Sequence, residues 1–284
     1  MMESLRDLDS FSRNLPQRED TMPVLFVGHG NPMNAIEENQ FSKGWREIGV
    51  ILPKPEAILC ISAHWETVGT YVTAMKHPRT IHDFYGFPEE LFNVEYPAPG
   101  SPILAQQTKE IVRKAIVQLD DKWGLDHGCW SVVKHLYPSA DVPVLQLSLD
   151  YTKPAQWHYD LASDLAVLRK RGILIIGSGN IVHNLRLIDW QNSEGPYDWA
   201  EEMNTRMKRE IRDGADDHLI HYERLGQSAR LAIPTPEHYL PLLYVLALKE
   251  KGDTTEIFND RTIMGSVSMT SLHIRPASGE SHEG

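Results

Sequence analysis

Three short apolar runs, each leading to a histidine, constrain this chain more than any other feature of it. Residues 23–30 read Pro-Val-Leu-Phe-Val-Gly-His-Gly, residues 57–65 read Ala-Ile-Leu-Cys-Ile-Ser-Ala-His-Trp, and residues 173–183 read Ile-Leu-Ile-Ile-Gly-Ser-Gly-Asn-Ile-Val-His. A continuous apolar run closed by glycines or other turn formers reads as a strand buried on both faces. His29 and His64 then stand where a strand gives way to a loop, and His183 lies just beyond one. Ligands of open α/β sheets gather outside the carboxyl ends of the strands. Three histidines brought to that edge by separate strands predict one site.

The segments between the runs fit the same architecture. Residues 40–49 predict a short helix. Ser101-Pro102 is a cap followed by proline at the first helical position, opening a helix expected to reach about Leu119. Asp126-His127-Gly128 stands at the mouth of a helix reaching Tyr137, and Pro154 opens another that Gly172 closes. Tyr71–Met75, residues 142–149 and Ser266–Ile274 read as further strands. Residues 196–213 and 216–225 are helical and mostly charged, hence an outer face. Thr235-Pro236-Glu237-His238 places His238 in the first turn of an apolar helix running to about Leu248. Alternation of this kind predicts a single α/β domain: a central, largely parallel buried sheet flanked by helices, with the site at the strand carboxyl ends. Its expected bounds are 23–274, between an N-terminal extension (1–22) and a polar tail (275–284). Residues 77–100, rich in aromatics, Pro and Gly, read equally as a binding loop or as a cover packed on the core.

Lys plus Arg number 28 and Asp plus Glu 39, a formal net charge of −11. Nucleic-acid binding normally needs a basic surface, so such a partner is not expected. No apolar run approaches the ~20 residues of a membrane span. Residues 1–22 carry no apolar secretory core, and the two cysteines, Cys60 and Cys129, form neither a metal spacing nor a disulfide framework. A reducing, cytoplasmic setting is the expectation. Thirteen histidines are the unusual count. Of these, His29, His64, His127, His183 and His238 stand at or near strand ends or helix starts, suited to metal ligation or to proton transfer near neutral pH. His135 reads as structural, and His158, His218, His221 and His273 as surface or packing residues. His77 and His82 lie in the aromatic loop, where a solvated histidine is the commoner case. His-Glu-x-x-His, Gly-x-Ser-x-Gly and Walker motifs are missing. Gly177-Ser178-Gly179 lacks the third glycine of a nucleotide turn and reads only as a tight turn exposing His183.

Seven motifs carry a family resemblance: Gly28-His29-Gly30-Asn31-Pro32-Met33-Asn34, Ser62-Ala63-His64-Trp65, Ile81-His82-Asp83-Phe84, Tyr96-Pro97-Ala98-Pro99-Gly100, Asp126-His127-Gly128, Gly179-Asn180-Ile181-Val182-His183-Asn184 and Thr235-Pro236-Glu237-His238-Tyr239. In this order, over about residues 22–274, they resemble the bacterial and plant 4,5-DOPA extradiol dioxygenase-like family. These are class III extradiol enzymes, whose wider kin include the catalytic chain of protocatechuate 4,5-dioxygenase. The resemblance implies one divalent metal on His29, His64 and His238, Fe(II) in the active enzyme, with Zn(II) able to occupy the same ligands. It implies His183 as acid/base and candidate fourth ligand, and His127 as a hydrogen-bonding group for the substrate or an oxygen-derived intermediate. His82, Asp83 and Phe84 would meet the substrate, a small catechol such as 3,4-dihydroxyphenylalanine. With O2, cleavage at the 4,5 bond would give a hydroxymuconic semialdehyde. Two departures stand out. His238 occupies a position where the protocatechuate enzymes carry a carboxylate, with Glu237 beside it, and Asn31 replaces a common Ser in a loop. A zinc-dependent hydrolase and a non-catalytic small-molecule binding protein remain the alternatives, and the oligomeric state is left open.

Overall fold

One eight-stranded sheet runs through the protein in the order β4-β3-β5-β2-β6-β1-β10-β7, with a two-stranded β8-β9 ribbon beside it. The computed structural model describes residues 21–191 and 195–277. The strands are β1 (Val24–Gly28), β2 (Ala57–Thr67), β3 (Thr70–Thr73), β4 (Val117–Asp120), β5 (Val144–Asp150), β6 (Ile173–Gly179), β7 (Thr254–Phe258), β8 (Thr262–Ile263), β9 (Val267–Ser268) and β10 (Ser271–Arg275). The centre is parallel: β5 pairs with β2, β2 with β6, and β6 with β1. On the far side β10 lies antiparallel to β1, and β7 antiparallel to β10.

The apolar runs are continuous because both faces are covered. Successive strand residues point to opposite faces, and each face meets helices. Val24, Phe26, Leu59, Ile61, Ile173 and Ile175 pack on one side with residues of the helices Ala155–Asp164, Asp198–Asp213 and Leu240–Ala247. Leu25, Val27, Ile58, Cys60, Leu174 and Ile176 pack on the other, against Trp45 of the helix Gln40–Ile51 and Trp130 of the helix His127–Leu136.

Several boundaries differ from expectation. Ser101 caps its helix, its Oγ accepting from the Leu104 N–H at 3.2 Å, but the helix ends at Ile111. The Asp164 carboxylate takes the N–H groups of Arg113 and Lys114, at 2.7 and 3.0 Å, and the chain turns out to form β4 instead. The helix expected from Pro154 onward divides into Ala155–Asp164 and Ala166–Arg169, and the closing strand divides into β9 and β10. The segment 216–225 is a helix only over Asp216–Ile220, followed by a 3-10 turn at Tyr222–Leu225. Met22, placed in the extension, is buried and paired with Arg169 in both directions, at 3.0 and 2.8 Å. Residues 1–20 of that extension, and 278–284 of the tail, lie outside the described residues.

Candidate metal centre

Each of the three expected ligands reaches the site by a different local device. His29 follows β1 directly; its N–H donates to the Gly179 carbonyl at 3.1 Å, and its carbonyl accepts from Asn34 Nδ2 at 3.0 Å. Asn31 makes a local loop contact, its Oδ1 accepting from the Met33 N–H at 2.9 Å. His64 lies inside an irregularity of β2. Against β5, Ile61 stands opposite Leu147 and Glu66 opposite Leu149, so Ser62–Trp65 bulge out of the ladder. Bulges re-aim side chains at strand ends, and this one carries His64. His238 sits in the turn before the helix Leu240–Ala247, not in the helix's first turn as expected. Its carbonyl accepts from the Asn180 N–H at 2.8 Å, an approach that needs glycine beside it, since a Cβ on Gly179 would lie 2.1 Å from that oxygen.

The three rings form a nearly equilateral triangle, with centroids 5.0, 5.1 and 5.4 Å apart. Their Nδ1 atoms face outward to oxygen atoms. His29 Nδ1 lies 3.0 Å from Ser178 Oγ, His64 Nδ1 lies 3.3 Å from Asp83 Oδ2, and His238 Nδ1 lies 3.0 Å from Glu237 Oε1. Ser178 has a single hydroxyl proton, and it goes to the Gly128 carbonyl at 2.5 Å. Its oxygen must therefore accept from His29, which puts the His29 proton on Nδ1. The Glu237 carboxylate also accepts from His238, placing that proton on Nδ1, and the Asp83 carboxylate 3.3 Å from His64 Nδ1 favours the same tautomer there. Burial, and then neighbouring histidines, pull the pKa of all three rings well below the usual value, so they are neutral. Each is left with a bare Nε2.

That arrangement fits a metal ion. His29 Nε2 and His64 Nε2 are 3.1 Å apart, and with the ring protons on Nδ1 two lone pairs face each other. Two nitrogens sharing an ion at about 2.1 Å each stand roughly 3.0–3.4 Å apart. Outward hydrogen bonds from the other ring nitrogen are what orient metal-binding histidines. His29, His64 and His238 are also one of three groups of potential ligand atoms gathered within 4.8 Å among the described residues; the others are His64-Asp83-His127 and His183-Glu237-His238.

The remaining expected residues surround this triangle. His183 stacks on His238, with centroids 3.5 Å apart and planes 13° from parallel. Burial, then the nearby His127, lowers its pKa to about 4. Its ligand atoms gather with Glu237 and His238, not with His29 and His64, so it stands beside the triangle. His127 opens its helix, its ring 3.9 Å from that of His64. Asp126 holds that helix start: buried, it accepts from Ser62 Oγ at 2.7 Å, Gln146 Nε2 at 2.6 Å and the Cys129 N–H at 3.1 Å. Phe84 meets the His127 ring edge-on at 5.6 Å. His82 is half-buried, not solvated, with Nε2 2.9 Å from the Val94 carbonyl and its ring among Phe84, Phe92 and Trp130. Asp83 lies 3.0 Å from His127 Nδ1 through Oδ2, and its Oδ1 accepts from the His127 N–H at 2.8 Å. Burial opposes its charge, yet His127 and His64 hold its carboxyl below the ordinary range.

Sequence reasoning missed Ser178, read only as part of a turn, and the service of Glu237 to His238. Among the other histidines, His135 is structural as expected, its Nε2 2.8 Å from the Asn34 carbonyl. His158 and His273 are buried, and His218 pairs with Glu210 at 2.9 Å. Cys60 and Cys129 are both free and buried.

Residues 23–269 match the family described as the catalytic LigB subunit of aromatic ring-opening dioxygenase. A protein of Escherichia coli (strain K12) named 4,5-DOPA dioxygenase extradiol is 47% identical over 257 residues, spanning 89% of this chain and 94% of the relative. One of the same name from Beta vulgaris is 36% identical, spanning 84% and 90%. A dioxygenase of Hapsidospora irregularis is 35% identical, spanning 84% and 81%. The crystal structure of an uncharacterised protein of Escherichia coli K12 superposes with a TM-score of 0.78 at 43% identity, covering 89% of this chain and 99% of the other.

Proposed function

Because the chain belongs to the family of the catalytic LigB subunit of aromatic ring-opening dioxygenases, we propose that it opens the ring of a small catechol with O2. The leading substrate is 3,4-dihydroxyphenylalanine, cleaved at the 4,5 bond to a hydroxymuconic semialdehyde. The enzyme is an extradiol ring-cleavage dioxygenase. One observation carries the reading at this site: ligand atoms of His29, His64 and His238 gather within 4.8 Å of one another, with Nε2 of His29 and His64 3.1 Å apart.

His29, His64 and His238 would hold one divalent ion, Fe(II) in the active enzyme and Zn(II) when it occupies the same ligands. When bound, the ion supplies positive charge that acidifies catechol hydroxyls and the redox capacity that oxygen chemistry requires. The rest falls to the chain. With its pKa at about 4, His183 is unprotonated at neutral pH and is the base for a substrate hydroxyl proton, which it later returns. His127, with Nδ1 turned to Asp83, offers Nε2 as its hydrogen-bonding atom toward the bound substrate. Phe84, packed with Phe87 and Phe92, gives the aromatic ring an apolar wall and keeps water from it. Glu237, which with His183 is one of two bases a zinc hydrolase could use, already accepts from His238 and from Thr235 Oγ1.

No helix among the described residues is long and apolar enough to cross a membrane. The two free cysteines accord with a reducing cytoplasm.

Anaerobic Fe(II) loading followed by oxygen-electrode assays across a catechol panel tests the proposal. Stoichiometric oxygen uptake with a yellow semialdehyde product is expected. Oxygen-independent hydrolysis with zinc, or binding without turnover, would replace this reading. In the same assay His183→Gln should lower kcat by roughly 10²–10⁴-fold with ion content unchanged. Loss of the ion in that variant would make His183 a ligand instead.

A further inference from the structure

Asp83 was expected to touch substrate, but its contacts leave it little capacity to do so. Oδ1 accepts the His127 N–H at 2.8 Å, and Oδ2 faces both His127 Nδ1 at 3.0 Å and His64 Nδ1 at 3.3 Å. One backbone N–H donates to this carboxylate, and ring nitrogens of two histidines lie within ion-pair distance of its other oxygen. One of those residues, His64, would hold the ion through Nε2, and the other, His127, meets Phe84 edge-on. Asp83 is itself next to Phe84 in the aromatic loop.

We propose that Asp83 is the positioning residue of the centre, a single carboxylate that fixes the ring orientation of both His64 and His127 and so makes ion affinity and turnover depend on one group. The inference rests on the dioxygenase reading only for its kinetic half. Turning an acceptor into an amide removes the charge and offers an N–H where two ring N–H groups point. Ring flipping of His64 then competes with ligation.

Cobalt(II), whose visible band reports its ligand geometry, is the probe. Asp83→Asn should bind cobalt 10–100-fold more weakly than the wild type in chelator competition, with a shifted band. Asp83→Glu, which keeps the charge on a longer arm, should fall between the two. Fe(II)-saturated Asp83→Asn should lose kcat more than it gains KM. Wild-type cobalt affinity and band in Asp83→Asn would overturn the proposal. So would a rise in KM alone, the signature of a direct substrate contact. Two ions per wild-type chain and one per Asp83→Asn chain would also overturn it, since Asp83 would then be a ligand. If Asp83→Asn does not fold, Asp83→Glu decides against the wild type: intermediate affinity supports the inference, and unchanged affinity and band defeat it. Should the wild type open no catechol, the functional reading falls, while the cobalt comparison still settles Asp83.

Discussion

The single hydroxyl proton of Ser178 decides which nitrogen of His29 is bare. In Ser178→Ala His29 Nδ1 loses its partner in a fully buried place. A buried unsatisfied group costs about 1–3 kcal/mol, and loss of such an outer partner weakens metal affinity about 10–100-fold. Equilibrium dialysis against zinc and a urea titration of the ion-free protein should show both losses. A variant with wild-type zinc affinity would mean that packing alone orients His29. The sequence exposed the three histidines because each follows or adjoins a recognisable strand or turn. It hid Ser178 because that contact depends on register: Ser178 pairs with Val27 across β1 and β6, and no local pattern encodes which residues of two parallel strands stand opposite.

Among elements, β6 shows how a strand accommodates a site. Gly177 and Gly179 let the chain at residues 238–241 lie against it, where a Cβ would come within 2.4 Å of the Pro241 carbonyl and 2.1 Å of that of His238. Backbone on both sides cannot yield locally. Gly179→Ala should therefore displace His238, costing about 1–3 kcal/mol by overpacking and removing the third ligand. Metal analysis of the purified variant checks this; a full equivalent of tightly held ion would refute it. The buried central strands were legible because a strand covered on both faces must be apolar throughout. The edge strands were not. β4 and β7 are only partly buried and mix polar with apolar residues, and only their pairing with β3 and β10 makes them strands. The β2 bulge left no mark either, because four irregular residues look no different from four regular ones when read in line. Apolar spacing past Ile111 suggested a longer helix, and it took a carboxylate 51 residues away, Asp164, to end it.

For the whole molecule, the buried histidines set a pH limit. His29, His64, His135, His158, His183, His238 and His273 all have their pKa lowered, chiefly by burial. The unfolded chain titrates near 6.5 and binds the protons that the folded one refuses. Stability is then full above about pH 6.5 and is lost as pH falls toward 4. His158, fully buried with its pKa at about 4, accounts for about 3 kcal/mol of that loss. Urea midpoints of the ion-free protein should stay level from pH 8 to 7 and drop steeply by pH 5; a flat profile to pH 5 would show that these rings are not neutral in the fold. The sheet order bears on another matter, the sequence of events on the ribosome. β1 is synthesised first among the strands, yet its neighbours are β6 and β10, and β10 emerges last. His29 and His64 likewise wait for His238. Until the C-terminal strands are released, Val24–Val27 present an unpaired apolar edge to other nascent chains, the condition under which strands aggregate. A chain ended after Lys251 should be insoluble however much metal is supplied, and soluble expression of that truncation would show that β1 is protected by other means. Assembly of the centre is thus scheduled by topology and open to rescue by chaperones that hold the first strand until β10 arrives.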